Sequence, residues 1–140
     1  MRKNILVVDD DAFFRRMMIK TLVALDAEFT FCVDGPECLE VIESNLFNYD
    51  LILMDVHMTD MLGSEATGRI RAMAGNPLRR VPIIALTGDA TWCDAERCAG
   101  AGFTGYLAKP NDLQTLHDDI DTLISTVTDD PITTKAVHLN

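Results

Sequence analysis

Five times along the chain a short apolar run gives way to a stretch with helical spacing, and this alternation limits the folds open to it. Ile5-Leu6-Val7-Val8 has no polar alternation, the mark of a strand covered on both faces. Asp9-Asp10-Asp11 stops it, and residues 12–25 then carry Phe14, Met18, Leu22 and Leu25 at helical spacing. A second strand is predicted near Phe29–Val33. It runs into Asp34-Gly35-Pro36, where Asp34 or Gly35 can cap and Pro36 can open a helix ending near Asn45. Leu51–Met54 is a third strand that stops at Asp55, followed by a helix near Ser64–Ala74 that Gly75-Asn76-Pro77 breaks. Val81–Leu86 is a fourth strand ending in Thr87, residues 90–99 a fourth helix, and Phe103–Leu107 a fifth strand. Residues 112–127 form a fifth helix bearing Leu113, Leu116, Ile120, Leu123 and Ile124. The order βα five times over predicts an α/β domain over 1–127: a doubly wound parallel sheet with right-handed crossovers and helices on both faces. Residues 128–140 contain Asp-Asp-Pro, lack periodicity, and read as a tail or linker.

Composition removes several classes of function. The 140 residues carry a formal charge of −10, against the clustered Lys and Arg a nucleic-acid binder needs. Residues 21–60 hold nine acidic groups and no basic one, so this stretch is either a solvated face or a cation site. An apolar content of 48% excludes a disordered acidic tail. Cys32, Cys38, Cys93 and Cys98 form neither a CxxC motif nor a zinc spacing and are read as reduced thiols. The apolar run behind Met1-Arg2-Lys3 is too short for a signal core, and no window is long enough to span a membrane. A cytoplasmic location is expected.

In open α/β sheets ligands sit beyond the carboxyl ends of the strands. Asp9 and Asp10 follow the first predicted strand, Asp55 the third, Thr87 the fourth, and Lys109 with Pro110 the fifth. At least three carboxylates, a hydroxyl and an ammonium should therefore share one edge. Crowded carboxylates repel, and a hard cation such as Mg²⁺, taking one or two carboxylates plus a phosphoryl oxygen, relieves that repulsion. One carboxylate could then act as a nucleophile toward phosphorus. The plainer alternative, that Asp9, Asp11 and Asp55 merely cap helices, leaves Thr87 and Lys109 at the same edge unexplained.

These residues carry a family resemblance. Val8-Asp9-Asp10, Leu53-Met54-Asp55-Val56-His57-Met58, Ile84-Ala85-Leu86-Thr87 and Tyr106-Leu107-Ala108-Lys109-Pro110 resemble the receiver domain of two-component response regulators over about residues 3–127. Gly63–Thr67 and Ile70-Arg71 look like receivers of hybrid histidine kinases. The resemblance implies a flavodoxin-like (βα)5 fold with strand order 2-1-3-4-5. It implies that Asp55 accepts a phosphoryl group from a phosphohistidine on a histidine kinase or histidine phosphotransfer protein, without turnover as an enzyme. Mg²⁺, or Mn²⁺ in its place, would be held by Asp10, by Asp9 directly or through water, by Asp55, and by the backbone carbonyl of His57. Lys109 would pair with the phosphoryl group and Thr87 would move to bond it. Tyr106 would turn inward as Thr87 moves, reshaping the face between the fourth and fifth helices. His57 and Asp89 would set the lifetime of the phosphoryl group, and Lys109-Pro110 would be a cis peptide. A monomer or weak dimer is expected, with no nucleic-acid contact and no output domain in the remaining tail.

Three positions depart from the family pattern. Thr59 replaces the usual proline, which should loosen the loop after Asp55; Leu62 replaces an acidic residue; Gly88 replaces an alanine. Phe13 and Met17 lie off the apolar stripe of the first helix and, with Phe14, are candidate docking residues. Trp92 is expected to be partly exposed near the switch. Gly100–Gly105 matches G-x-G-x-x-G literally but precedes a strand, so the pyrophosphate-binding geometry is absent. The competing readings are an aspartate-nucleophile phosphatase or phosphotransferase on a similar fold, and a pseudo-receiver that never takes phosphate. A haloacid-dehalogenase-type phosphatase would want an aspartate at position 57.

Overall fold

A computed structural model describes residues 2–46 and 48–129, apart from the side chains of 127–129. The elements run β1 (Asn4–Val8), α1 (Ala12–Ala24), β2 (Glu28–Cys32), α2 (Gly35–Ser44), β3 (Leu51–Asp55), α3 (Gly63–Arg71), β4 (Ile83–Thr87), α4 (Ala95–Ala101), β5 (Gly105–Ala108) and α5 (Leu113–Asp129). All strand pairs are parallel and the order is β2-β1-β3-β4-β5, as the resemblance implied.

The unbroken apolar strands are explained by a core on each side of the sheet. Leu6, Val8, Ile52, Met54, Ile83, Ala85 and Tyr106 face the layer built by α2, α3 and α4. Ile5, Val7, Leu51, Leu53, Ile84, Leu86 and Leu107 face α1 and α5. Alternate side chains of a strand point to opposite faces, so a strand buried twice has no place for a polar residue. Edge strand β2 is the exception, with Glu28 and Thr30 exposed. Cys32 and Cys38 are free and buried, and burial pushes both thiols up, Cys38 to about 12. Among the described residues no helix is long and apolar enough to cross a membrane.

Several expectations need correction. The stretch 90–99 is not one helix. Asp89 caps a 3₁₀ turn over Ala90–Trp92, and Asp94 then starts α4 by accepting from Glu96 N and Arg97 N. Competition from a capping carboxylate splits the segment. Strand β4 begins at Ile83 because Pro82 has no N–H for the ladder, although its carbonyl still accepts from Ile52 N at 2.9 Å. Trp92 is buried, not partly exposed; it meets Phe103 edge-to-face and Arg97 lies over its ring. Met17 and Phe14 are buried as well, because α1 packs on both the sheet and α5 and so needs a wider apolar arc. Phe13 alone of the three docking candidates is well exposed. Helix α5 extends to Asp129, beyond the predicted 112–127, and residues 130–140 of the expected tail lie outside the described ones.

Helix α3 starts without a side-chain cap, because Leu62 occupies the N-cap position in extended conformation and offers no acceptor. Leu62→Asn should supply one and raise stability by about 1 kcal/mol in urea denaturation. An unchanged midpoint would contradict this reading of the helix start.

Candidate functional site

A parallel sheet delivers the carboxyl ends of all its strands to one edge. Val8 pairs with Met54 and Asp55 with Leu86, so the residues following β1 sit beside the end of β3. One carboxylate oxygen from each of Asp9, Asp10 and Asp55 lies within 4.8 Å of the others. Asp9 is fully buried, Asp55 nearly so, and Asp10 is exposed. Lys109 enters from the end of β5, its N–H donating to the Thr87 carbonyl at 2.8 Å. Its Nζ stands 2.8 Å from Asp9 Oδ2 and 3.5 Å from Asp55 Oδ1. The peptide bonds are all trans among the described residues, so the expected cis bond at Lys109-Pro110 is not found. Trans is favoured by about 0.5–1 kcal/mol even before proline. The ladder bond from Lys109 N to Thr87 O already delivers the ammonium to the cluster.

One ammonium does not neutralise three carboxylates. Burial and the neighbouring Asp9 push the Asp55 carboxyl up to about 7, against the opposing pull of Lys109. Asp9 Oδ2 is buried with no aligned hydrogen bond; its near partner is the Lys109 ammonium. A buried, under-satisfied oxygen beside two further carboxylates is the donor set of a hard divalent cation. These residues fit such an ion.

Only part of the cluster does the capping suggested by the sequence. Asp11 caps α1, accepting from Phe13 N at 2.9 Å and Phe14 N at 3.4 Å, and Asp9 Oδ1 accepts from Asp11 N at 2.8 Å. Arg15 Nη1 holds the Asp9 carbonyl at 3.0 Å. Thr59 behaves opposite to expectation. Its N–H and its hydroxyl both donate to Asp10 Oδ2, at 3.2 and 3.1 Å, and so tie the loop after β3 to the cluster. A proline there has neither donor. Gly63, the first residue of α3, is a contact residue: a Cβ there would collide with the Asp55 carbonyl oxygen. The Gly88 departure is harmless in space, since a Cβ there meets nothing within 4 Å.

The residues expected to switch lie on strands, Thr87 closing β4 before the loop at the mouth and Tyr106 within β5. Thr87 is buried, its hydroxyl accepting from Asp89 N at 2.9 Å and donating to Asp89 O at 3.3 Å. His57 and Asp89 meet directly, Nε2 to Oδ2 at 3.0 Å. Bonds from Thr91, and then from His57, lower the Asp89 carboxyl to about 2. Tyr106, expected to turn inward on switching, is already buried in this state, in the same core cluster as Trp92 and Phe103.

The family model for the response regulator receiver domain matches residues 5–121. The chain belongs to this family. That receiver span contains every residue of the cluster and of the loop at its mouth. The receiver is 34% identical over 121 residues to hybrid signal transduction histidine kinase E of Dictyostelium discoideum, covering 85% of this chain and 7% of that protein. Its coordinates match the receiver domain of sensor histidine kinase PA1611 from Pseudomonas aeruginosa, solved with a magnesium ion in its active-site cleft. The identity there is 36%, the coverage 89% and 99% of the two chains, and the TM-score 0.70. They also match the response regulator TrrA from Thermotoga maritima in complex with Mg²⁺–BeF, at 28% identity, 86% and 98% coverage and TM-score 0.70. The receiver spans between 7% and 12% of the length of the first four curated relatives it matches.

The charge cluster sets a pH dependence in the absence of divalent metal. The folded pKa of Asp55 is raised, so the folded protein binds an extra proton between about pH 4 and 7, and stability falls as pH rises through that window. Asp55→Asn should therefore raise stability at pH 8 by on the order of 2 kcal/mol and change it little at pH 4. Urea titrations with EDTA at the two pH values check this. An equal effect at both would contradict it.

Proposed function

We propose that this receiver accepts a phosphoryl group on Asp55 from a phosphohistidine of a histidine kinase or histidine phosphotransfer protein. The observation that carries the reading is the Asp9, Asp10 and Asp55 cluster with Lys109 reaching across it. An Asp55 carboxylate oxygen forms the new bond to phosphorus, the N–P bond of the donor breaks, and the departing imidazole nitrogen takes a proton from solvent. Asp9, Asp10, Asp55 and the backbone carbonyl of His57 would hold Mg²⁺, with Mn²⁺ able to stand in its place. When bound, that ion neutralises the carboxylates and the charge developing on the phosphoryl oxygens.

Lys109 would pair with a phosphoryl oxygen through its ammonium, which already lies 3.5 Å from Asp55 Oδ1. Thr87 must first release the Asp89 backbone, so its hydroxyl exchanges one local pair of bonds for a charge-assisted one. Release of that turn frees the loop leading to α4, and Tyr106, already buried, fills the space beside it. The α4–β5–α5 face is then the signalling surface. The His57–Asp89 contact is the candidate for setting how fast water removes the group.

Donor docking falls to the exposed Phe13. With Arg16, Met17, Lys20 and Leu113 it lines a hollow of about 350 Å³, whose apolar floor and two cations suit a helix with an apolar side chain flanked by acids. The domain acts as a phosphorylated module in the cytoplasm, and any kinase activity belongs to another domain or chain. A pseudo-receiver would be expected to lack one of the acids or Lys109, and all of them are present.

Incubation with acetyl phosphate and Mg²⁺, followed by intact-mass analysis, should show one phosphoryl group that hydroxylamine removes. Asp55→Asn should take none. No incorporation by the native chain, or equal incorporation by the variant, would overturn the proposal.

A further inference from the structure

Lys109 has a third neighbour besides its two carboxylates. Its Nζ lies over the ring of Phe14, 4.6 Å from the centroid. Phe14 is 4% exposed, so the ring is not available to a docking partner. From the geometry we infer that Phe14 is a positioning residue for Lys109, its ring face holding the ammonium where a phosphoryl oxygen must find it. This rests on the receiver reading above.

The argument starts from what an ammonium needs. A lysine head is a compact charge on a flexible stem, and nothing in the stem itself fixes its direction. Asp9 and Asp55 attract it from one side, but both are claimed by the proposed cation site and cannot alone keep Nζ in one place when that site fills. The negative face of an aromatic ring attracts a cation without being an oxygen ligand of a divalent ion, so its pull persists when that site fills.

The ring is itself held by the cluster it serves. Asp9 Oδ1 accepts from Asp11 N, Asp11 Oδ1 accepts from Phe14 N, the Phe14 ring faces Lys109 Nζ, and Nζ returns to Asp9 Oδ2. Contacts therefore run in a closed circuit from one oxygen of Asp9 to the other. An aliphatic residue at position 14 would keep the core apolar and break the circuit at the ring.

The test replaces Phe14 in the full chain with 4-fluoro-, 3,5-difluoro- and 3,4,5-trifluorophenylalanine. Successive fluorines drain the negative ring face while nearly keeping the shape. The probe is beryllofluoride with saturating Mg²⁺, followed by fluorescence of Trp92, the single tryptophan. The apparent Kd should rise with each fluorine, reaching about fivefold across the series, with the urea midpoint unchanged. Phe14→Tyr should bind like the native chain and Phe14→Leu like the trifluoro form. Equal affinity throughout the series, with the native chain binding normally, would overturn the role of Phe14 and leave the receiver reading intact. No saturable response from the native chain would remove both.

Discussion

Carboxylate oxygens within 4.8 Å of one another repel by at least about 3.5 kcal/mol per charged pair at an effective dielectric near 20. This receiver gathers three such groups, buries two of them, and offers one ammonium in return. The rest of the structure can be read as what keeps that arrangement in place. Both sheet faces are covered by apolar cores, so the strand ends cannot relax apart. Gly63 lets the start of α3 press on the Asp55 carbonyl, and Thr59 draws the same loop onto Asp10. Local unfavourable charge held by a well-packed scaffold is the form that stored strain takes at functional sites.

At a site of this kind the proposed phosphorylation would be an electrostatic event with a structural readout. A phosphoryl group on Asp55 would exchange one carboxylate charge for a larger one and three strong acceptors. Thr87 and Lys109 are the donors within the fold's reach, and both are tied to local partners in the present state: Thr87 to Asp89, Lys109 to Asp9. The His57–Asp89 contact joins the loop after β3 to the loop after β4 across the same opening. Movement of Thr87 therefore bears on the Asp89 side of that contact.

The residues legible in the sequence were those whose position follows from strand ends. Asp9, Asp10, Asp55, Thr87 and Lys109 each directly follow an apolar run or close it, and parallel pairing does the rest. Residues acting through distant partners were not legible. Thr59 reads as a missing proline until its two bonds reach Asp10, 49 positions earlier. Phe14 reads as part of an apolar stripe until Lys109 is seen above its ring. Met17 was misplaced because a stripe assigned by spacing assumes one packing partner, and α1 has two. The split of residues 90–99 turned on Asp94 choosing to cap, a local competition that periodicity does not register.

Without a cation the cluster is unfavourable. The thermal midpoint of the native chain with and without Mg²⁺, measured at pH 8 and pH 5, reads that cost. Binding to the folded state alone raises stability as ligand exceeds its Kd. At pH 8, with Asp55 ionised, Mg²⁺ should raise the midpoint by several degrees. At pH 5, where the raised pKa leaves Asp55 mostly protonated, it should raise it much less. A shift of equal size at both pH values, or none at pH 8, would contradict the account.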